Sequence, residues 1–312
     1  MRSIASSTCV KNILFRNRGC CLIRTNVFCP SVYQRVGVAT TFSPRFMAVL
    51  AEAGRISRSL SAPLHLIHAD GFNSEKEERF RVALRKLTLD DRAKIHFESG
   101  EPCNAILKAQ REESIDLLVA GAMETQTVHR NFTGDVAREL LRQAPCDLLL
   151  YTEPREEPKP PENILVAIPD FSDLSRYVFH RAVSVAERNG SKHVTIIYVQ
   201  TTFAEAKEKA LGSEAPTAEQ SLQSFLQERQ GCRLDLDYHL LYGNTGFTAC
   251  EYIQASGTDL VVMPSQMPSA GQPTFAPALD WIFQVIPANL WVIRNVNLRY
   301  ARQRGPATAR DI

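Results

Sequence analysis

At 312 residues, with 44% hydrophobic and 22% charged side chains, the chain has room for two ordinary domains, each with its own core. No apolar run approaches the roughly 18 to 20 residues that a membrane-crossing helix needs, so no membrane association is expected. The net charge of +2 hides an asymmetry: residues 1–51 hold seven Lys/Arg and no acid, which leaves −5 on the remainder and argues against DNA as a partner of the folded part.

Residues 1–35 carry Arg and Ser, lack acids and show no clear periodicity. They fit a disordered arm, an over-long start or an acid-poor targeting segment. The eight cysteines do not form a disulfide framework in a chain of this size. Cys9, Cys20, Cys21 and Cys29 have neither zinc-knuckle nor CxxC spacing, while Cys103, Cys146, Cys232 and Cys250 fall inside apolar patterns. Reduced core thiols and a cytoplasmic location are the expectation.

The first strand is VGVAT (36–40), followed from Pro44 by a helix with Phe46, Val49, Leu50, Ala53 and Ile56 on one face. APLHLIHA (62–69) is the second strand, and a charged amphipathic helix follows with Phe80, Leu84 and Leu87 as its apolar positions. KIHFES (94–99) alternates as an edge strand does. A helix from Pro102, the buried strand DLLVA (116–120), the helix DVARELLRQ and the strand DLLLY complete this half. The segment EPREEPKPPE (153–162) can hold neither a helix nor a central strand and is a linker.

The chain beyond the linker repeats the chain before it. Phe42-Ser43 returns as Phe171-Ser172, SGEPCNAI (99–106) as YGNTGFTA (242–249), IDLLVAG (115–121) as TDLVVMP (258–264), and APCDLLL (144–150) as IPANLWVI (286–293). Four matches in order indicate a duplicated domain, 36–152 and 163–294, with a basic tail at 295–312. The second copy is longer around residues 203–230, a stretch rich in Ala, Glu, Gln and Leu. Each half reads as five strands separated by four helical segments. Continuous apolar strands alternating with helices imply an α/β fold: two doubly wound domains, each with a five-stranded, mostly parallel sheet covered on both faces. Ligands of such sheets bind beyond the strands' carboxyl ends where the strand order reverses, which would gather Thr40, Thr41, His68, Ala69 and Gly121 around one crevice.

The first-strand pattern with FSP (42–44), APLHLIH, SGEPCNAI, DLLVAG and TGDVARELLRQAPCDLLL together resemble the universal stress proteins, in their tandem two-domain form. The resemblance covers 36–152 and 163–294. It implies a Rossmann-like fold of the adenine nucleotide alpha hydrolase type, frequent dimerisation through the last strand, and ATP binding in some members only. The ATP-binding members look like G-x2-G-x9-G-[S/T], leading into the last helix. Gly121 and Gly134 match the outer glycines, but Glu124 and Asp135 stand at the second glycine and the Ser/Thr, with Val136 next in the helix. Thr41 stands where the family typically has an aspartate for the ribose.

Glycines at such a turn let backbone N–H groups approach phosphate oxygens, and the helix N-terminus adds partial positive charge. A carboxylate about 4 Å from a phosphate charge costs on the order of 4 kcal/mol at an effective dielectric near 20. One charge-assisted backbone hydrogen bond returns only about 1.5–3 kcal/mol. Asp135 is otherwise a normal first-turn acid, with Thr133 available as cap. A Mg²⁺ ion bridging Asp135 to a phosphate would restore ATP binding. In the second half Pro264 replaces the first glycine, no glycine pair has the right spacing, and Pro169 shifts Asp170 by one residue. That half is expected to be a docking partner.

His65 and His68 point to opposite faces of one strand and cannot share a metal. His68 lies at the crevice edge and reads as a structural histidine, and no metal site is expected. His129 and Arg130 sit in the loop before Gly134, within reach of an anion. Trp281, Phe283 and Trp291 read as core residues first and dimer surface second. No HExxH, GK[S/T] or Ser/His/Asp pattern occurs. The resulting expectation is a non-enzymatic stress-response binding protein with at most a weak, degenerate adenine nucleotide site at Thr41, Ala69, Gly121, Gly134, Asp135 and Val136. It would act through an unidentified protein partner, with its two domains paired within the chain or as a homodimer. The alternative is a true ATP-binding switch with slow ATPase activity.

Overall fold

The structure, a computed structural model, describes residues 33–89, 93–122, 135–211, 216–266, 274–283, 285 and 287–294. The first half runs β1 (Val36–Thr40), α1 (Phe46–Leu60), β2 (Leu64–His68), α2 (Ser74–Lys86), β3 (Ala93–Phe97), α3 (Pro102–Glu112), β4 (Leu117–Gly121), α4 (Asp135–Gln143) and β5 (Asp147–Tyr151). The second runs β6 (Asn163–Ile168), α5 (Asp173–Asn189), β7 (His193–Gln200), α6 (Thr202–Leu211), α7 (Ala218–Gln227), β8 (Asp235–Tyr242), α8 (Thr245–Ala255), β9 (Leu260–Ser265), a 3-10 turn (Pro277–Phe283) and β10 (Asn289–Arg294). The extra length of the second half is α6, an additional helix between β7 and α7.

All ten strands form one sheet in the order β3-β2-β1-β4-β5-β10-β9-β6-β7-β8. Within each half every neighbour is parallel, and the order reverses between β1 and β4 and again between β6 and β9. The halves meet where β5 and β10 pair antiparallel, with Leu149 beside Trp291. The two last strands therefore satisfy each other inside one chain, leaving β3 and β8 as the outer edges.

Buried side chains form a core on each face of the sheet, and both cores run across the seam. One lies under α1, α2, α5 and α7 and includes Leu50, Phe80, Phe179, Phe225 and Trp291; the other lies under α3, α4, α8 and the 3-10 turn and includes Leu140, Ile253, Met263 and Ile282. Strands with layers on both sides read as continuous apolar runs, as LLVA in β4 and LVVM in β9 do. At the seam, Asp147 Oδ2 accepts from Tyr33 Oη at 2.5 Å and lies 3.4 Å from Arg181 Nε of the other half. Trp291 Nε1 donates to the same tyrosine oxygen at 3.1 Å, and Arg294 N donates to Asp147 Oδ1 at 2.8 Å. Arg181 Nε, Trp291 Nε1 and Arg294 N of the second half each reach an acceptor on Tyr33 or Asp147 of the first, which makes the two halves mutually dependent.

One expectation needs correction. The fourth helix of the second half is reduced to the seven-residue 3-10 turn. Pro287 follows it and removes a backbone donor that a helix continued toward β10 would use, whereas a proline at the opening position, as at Pro102 of α3, is compatible with an α-helix.

Candidate nucleotide site

In the first half, Thr40 and His68 are register partners, and Val38 lies beside Val119, so the carboxyl ends of β1, β2 and β4 converge as the crevice requires. Thr41 is exposed there, and Ala69 and Gly121 are half-buried. Asp135 is exposed and is the first residue of α4, followed by Val136 at 36% exposure. Gly134, Glu124, His129, Arg130 and Thr133 lie outside the described residues. Gly121 has a packing reason of its own: a Cβ here would stand 3.0 Å from Val49 Cγ2 of α1.

Beside the crevice, Phe42 turns back onto α2. Its ring stacks on Phe80 at 4.5 Å and meets His68 at 5.3 Å, with the Arg79 guanidinium 3.9 Å over its other face. His68 is buried, and its Nδ1 donates to Thr40 O at 3.1 Å, so the ring is held by its own strand pair. The second half repeats the arrangement: Phe171 packs on Tyr198 at 4.8 Å and on Phe225 at 6.1 Å, with Arg176 4.7 Å over Phe225. The phenylalanine of each FS pair thus closes the crevice margin with its own ring.

The second crevice is filled. Leu279 and Ile282 of the 3-10 turn are buried, and Trp281 packs so closely on the start of α8 that a Cβ at Gly246 would lie 3.0 Å from Trp281 Cβ. What remains is a cavity of about 20 Å³ bounded by Ala167, Pro169, Ile197, Thr245, Leu279 and Trp281, room for about one water molecule. Asp170 is spent on the fold, its Oδ1 accepting from Ser172 N at 3.0 Å and Ser175 Oγ at 2.9 Å where α5 begins. Trp291 is buried at the seam.

Among the described cysteines, all four are free thiols; Cys103 and Cys146 are buried and Cys232 and Cys250 are half-buried. Burial pushes both Cys103 and Cys146 up to about 12, so neither supplies a thiolate nucleophile at neutral pH. No helix among the described residues is long and apolar enough to cross a membrane.

The model of the universal stress protein family matches residues 70–152 and 161–273, one stretch in each half. The chain belongs to this family. Among solved structures, a protein of unknown function from Pseudomonas aeruginosa PAO1 superposes with a TM-score of 0.67 at 14% identity, over 85% of this chain and 93% of its own. A universal stress protein from Archaeoglobus fulgidus gives 0.61 at 13%, over 83% and 98%. At these identities the likeness is one of fold, and it spans both halves of this universal stress protein. No curated protein sequence matches the chain.

Sequence reasoning missed one cluster in this universal stress protein. Alternation along one strand compares His65 only with His68, whereas its neighbours are His96 on β3 and Glu113 at the end of α3. Burial, then the adjacent His96, pushes the His65 ring down to about 4 against the opposing pull of Glu113. The signal lay in the register between β2 and β3, which no single-strand periodicity contains.

Proposed function

We propose that this universal stress protein is a non-catalytic binding and regulatory protein of the cytoplasm, whose nucleotide affinity is weak and confined to the first half. The observation that carries the reading is the fate of the fourth helix. In the first half it opens on Asp135; in the second it is a 3-10 turn whose side chains fill the crevice. A phosphate approaching α4 meets a carboxylate at the one place where the helix offers partial positive charge. Among the described residues, the equivalent place in the second half offers a 3-10 turn instead of an α-helix N-terminus, and a cavity of only about 20 Å³. What the chain binds instead would be a protein partner.

The second reading, an ATP-binding switch, is favoured by the retained spacing from Gly121 to Gly134, and Mg²⁺ held by Asp135 would reconcile it with the charge. Isothermal titration with ATP, with and without Mg²⁺, separates the two. The first reading expects no binding below millimolar concentration in either condition, and a gain of at least tenfold in affinity for the double variant Glu124→Gly, Asp135→Ser. Micromolar binding by the unaltered chain, abolished by Gly134→Val, would replace the first reading by the second.

A further inference from the structure

β2 and β3 are parallel, with His65 opposite Lys94 and Ile67 opposite His96. His65 and His96 are therefore diagonal neighbours on one face of the sheet, the face that α3 covers. His65 Nδ1 and His96 Nε2 are 3.1 Å apart, with the rings within 10° of parallel. Glu113, the residue that ends α3, brings Oε2 to 3.5 Å from His65 Nδ1 and Oε1 to 3.8 Å from His96 Nδ1. One ligand atom from each of the three residues falls within 4.8 Å of the other two. His65 is 2% exposed and fixed by the sheet, while the side chains of His96 and Glu113 are 17% and 31% exposed and leave a path to solvent.

We propose that His65, His96 and Glu113 form a zinc-binding site with its fourth position open to water. Tetrahedral Zn²⁺ with N and O ligands at ~2.0–2.2 Å sets its ligand atoms roughly 3.3–3.5 Å apart, and the His65–His96 and His65–Glu113 separations of 3.1 and 3.5 Å lie close to that. Two imidazoles and a carboxylate are the ligand types of open, three-residue zinc sites. Without metal, one ring donates its proton to the other. Binding moves that proton to the far nitrogen of the donating ring, so both rings remain neutral and present a lone pair, and no proton is lost. Glu113 offsets part of the ion's charge. Arg35 and Lys94 add positive field on the same side, so the affinity expected is micromolar. The ion would tie β2, the outer strand β3 and the end of α3 together at one edge of the sheet.

The experiment uses the full chain carrying Cys9, Cys20, Cys21 and Cys29 changed to Ser, which removes competing thiols. After chelator treatment and dialysis, titration with Zn²⁺ should show one saturable equivalent with micromolar Kd. His96→Ala and Glu113→Gln should each weaken binding at least tenfold, the pair together should abolish it, and His193→Ala on β7 should leave it unchanged. Absence of a saturable equivalent, or one that survives the double variant, overturns the proposal. Should the double variant fail to fold by circular dichroism, ring ¹⁵N resonances of the serine-substituted parent decide. Zn²⁺ must shift those of His65 and His96, and shifts confined to other histidines overturn the site.

Discussion

His180, on α5, shows how one side chain ties stability to pH. Its Nε2 lies 2.8 Å from Glu228 Oε2, but Glu228 also pairs with Arg176, so its charge is already balanced. Burial, and then Arg229 and Arg176, push the ring down to about 4, and it donates to Glu228 as a neutral imidazole. In the unfolded chain a histidine protonates near ~6.5. Between those values the unfolded chain binds the extra proton, so this contribution is complete above about pH 6.5 and is lost as pH falls toward about 4. His180→Gln, which keeps a donor, should flatten the fall of Tm between about pH 6.5 and 4.5. Parallel curves for the two proteins would show that the ring plays no such part. Gly121, which reads as a phosphate-loop residue, also sits where Val49 of α1 crowds the end of β4 and leaves little room for a Cβ, so its presence alone does not speak for a ligand.

At the scale of elements, the stretch 203–230 divides into α6 and α7, and the start of α7 is written in the sequence as Thr217-x-x-Gln220. Thr217 Oγ1 accepts from Gln220 N at 3.2 Å, and Gln220 Oε1 accepts from Thr217 N at 2.9 Å, a capping box that satisfies two otherwise orphaned donors. The helix then buries Leu222 and Phe225 against the sheet. Thr217→Ala should cost about 1 kcal/mol in urea denaturation with an unchanged m-value, and a change under about 0.3 kcal/mol would show the cap to be dispensable. The contrast between α4 and the 3-10 turn belongs to this scale too. Both lie in the same place of the repeat, but the second copy forms only the seven-residue 3-10 turn and is followed by Pro287. It turns its apolar side chains into the crevice instead.

At the scale of the molecule, the antiparallel β5–β10 seam joins two parallel half-sheets into one. The buried group of Tyr33, Asp147, Arg181, Trp291 and Arg294 draws on both halves, so neither half satisfies its own polar atoms alone. Separated from the rest, residues 33–152 would expose the edge of β5 together with part of two cores. A strand edge of that kind pairs with whatever matches it, and a second β5 is the nearest equivalent of β10. Light scattering after size exclusion should therefore find the full chain monomeric and the isolated 33–152 fragment dimeric or larger. A monomeric, folded fragment would mean that the seam is not needed to cover β5.

The sequence alone determined the α/β class and the order of strands and helices in the first half, to within one or two residues at most strand ends, because apolar runs and helical periodicity are local signals. Helical patterning likewise put Asp135 at the start of the last helix of the first half, whereas Ala69, read as part of the second strand, falls just beyond β2, and Gly121, read as following the fourth strand, closes β4. Only the tertiary structure decided what those elements do together. That β5 meets β10 inside the chain, that Trp281 and Ile282 occupy the second crevice, and that His65 faces His96 and Glu113 each depend on register and packing between segments distant in sequence. Periodicity within one segment says which face a residue takes; it does not say what arrives on the other side of that face.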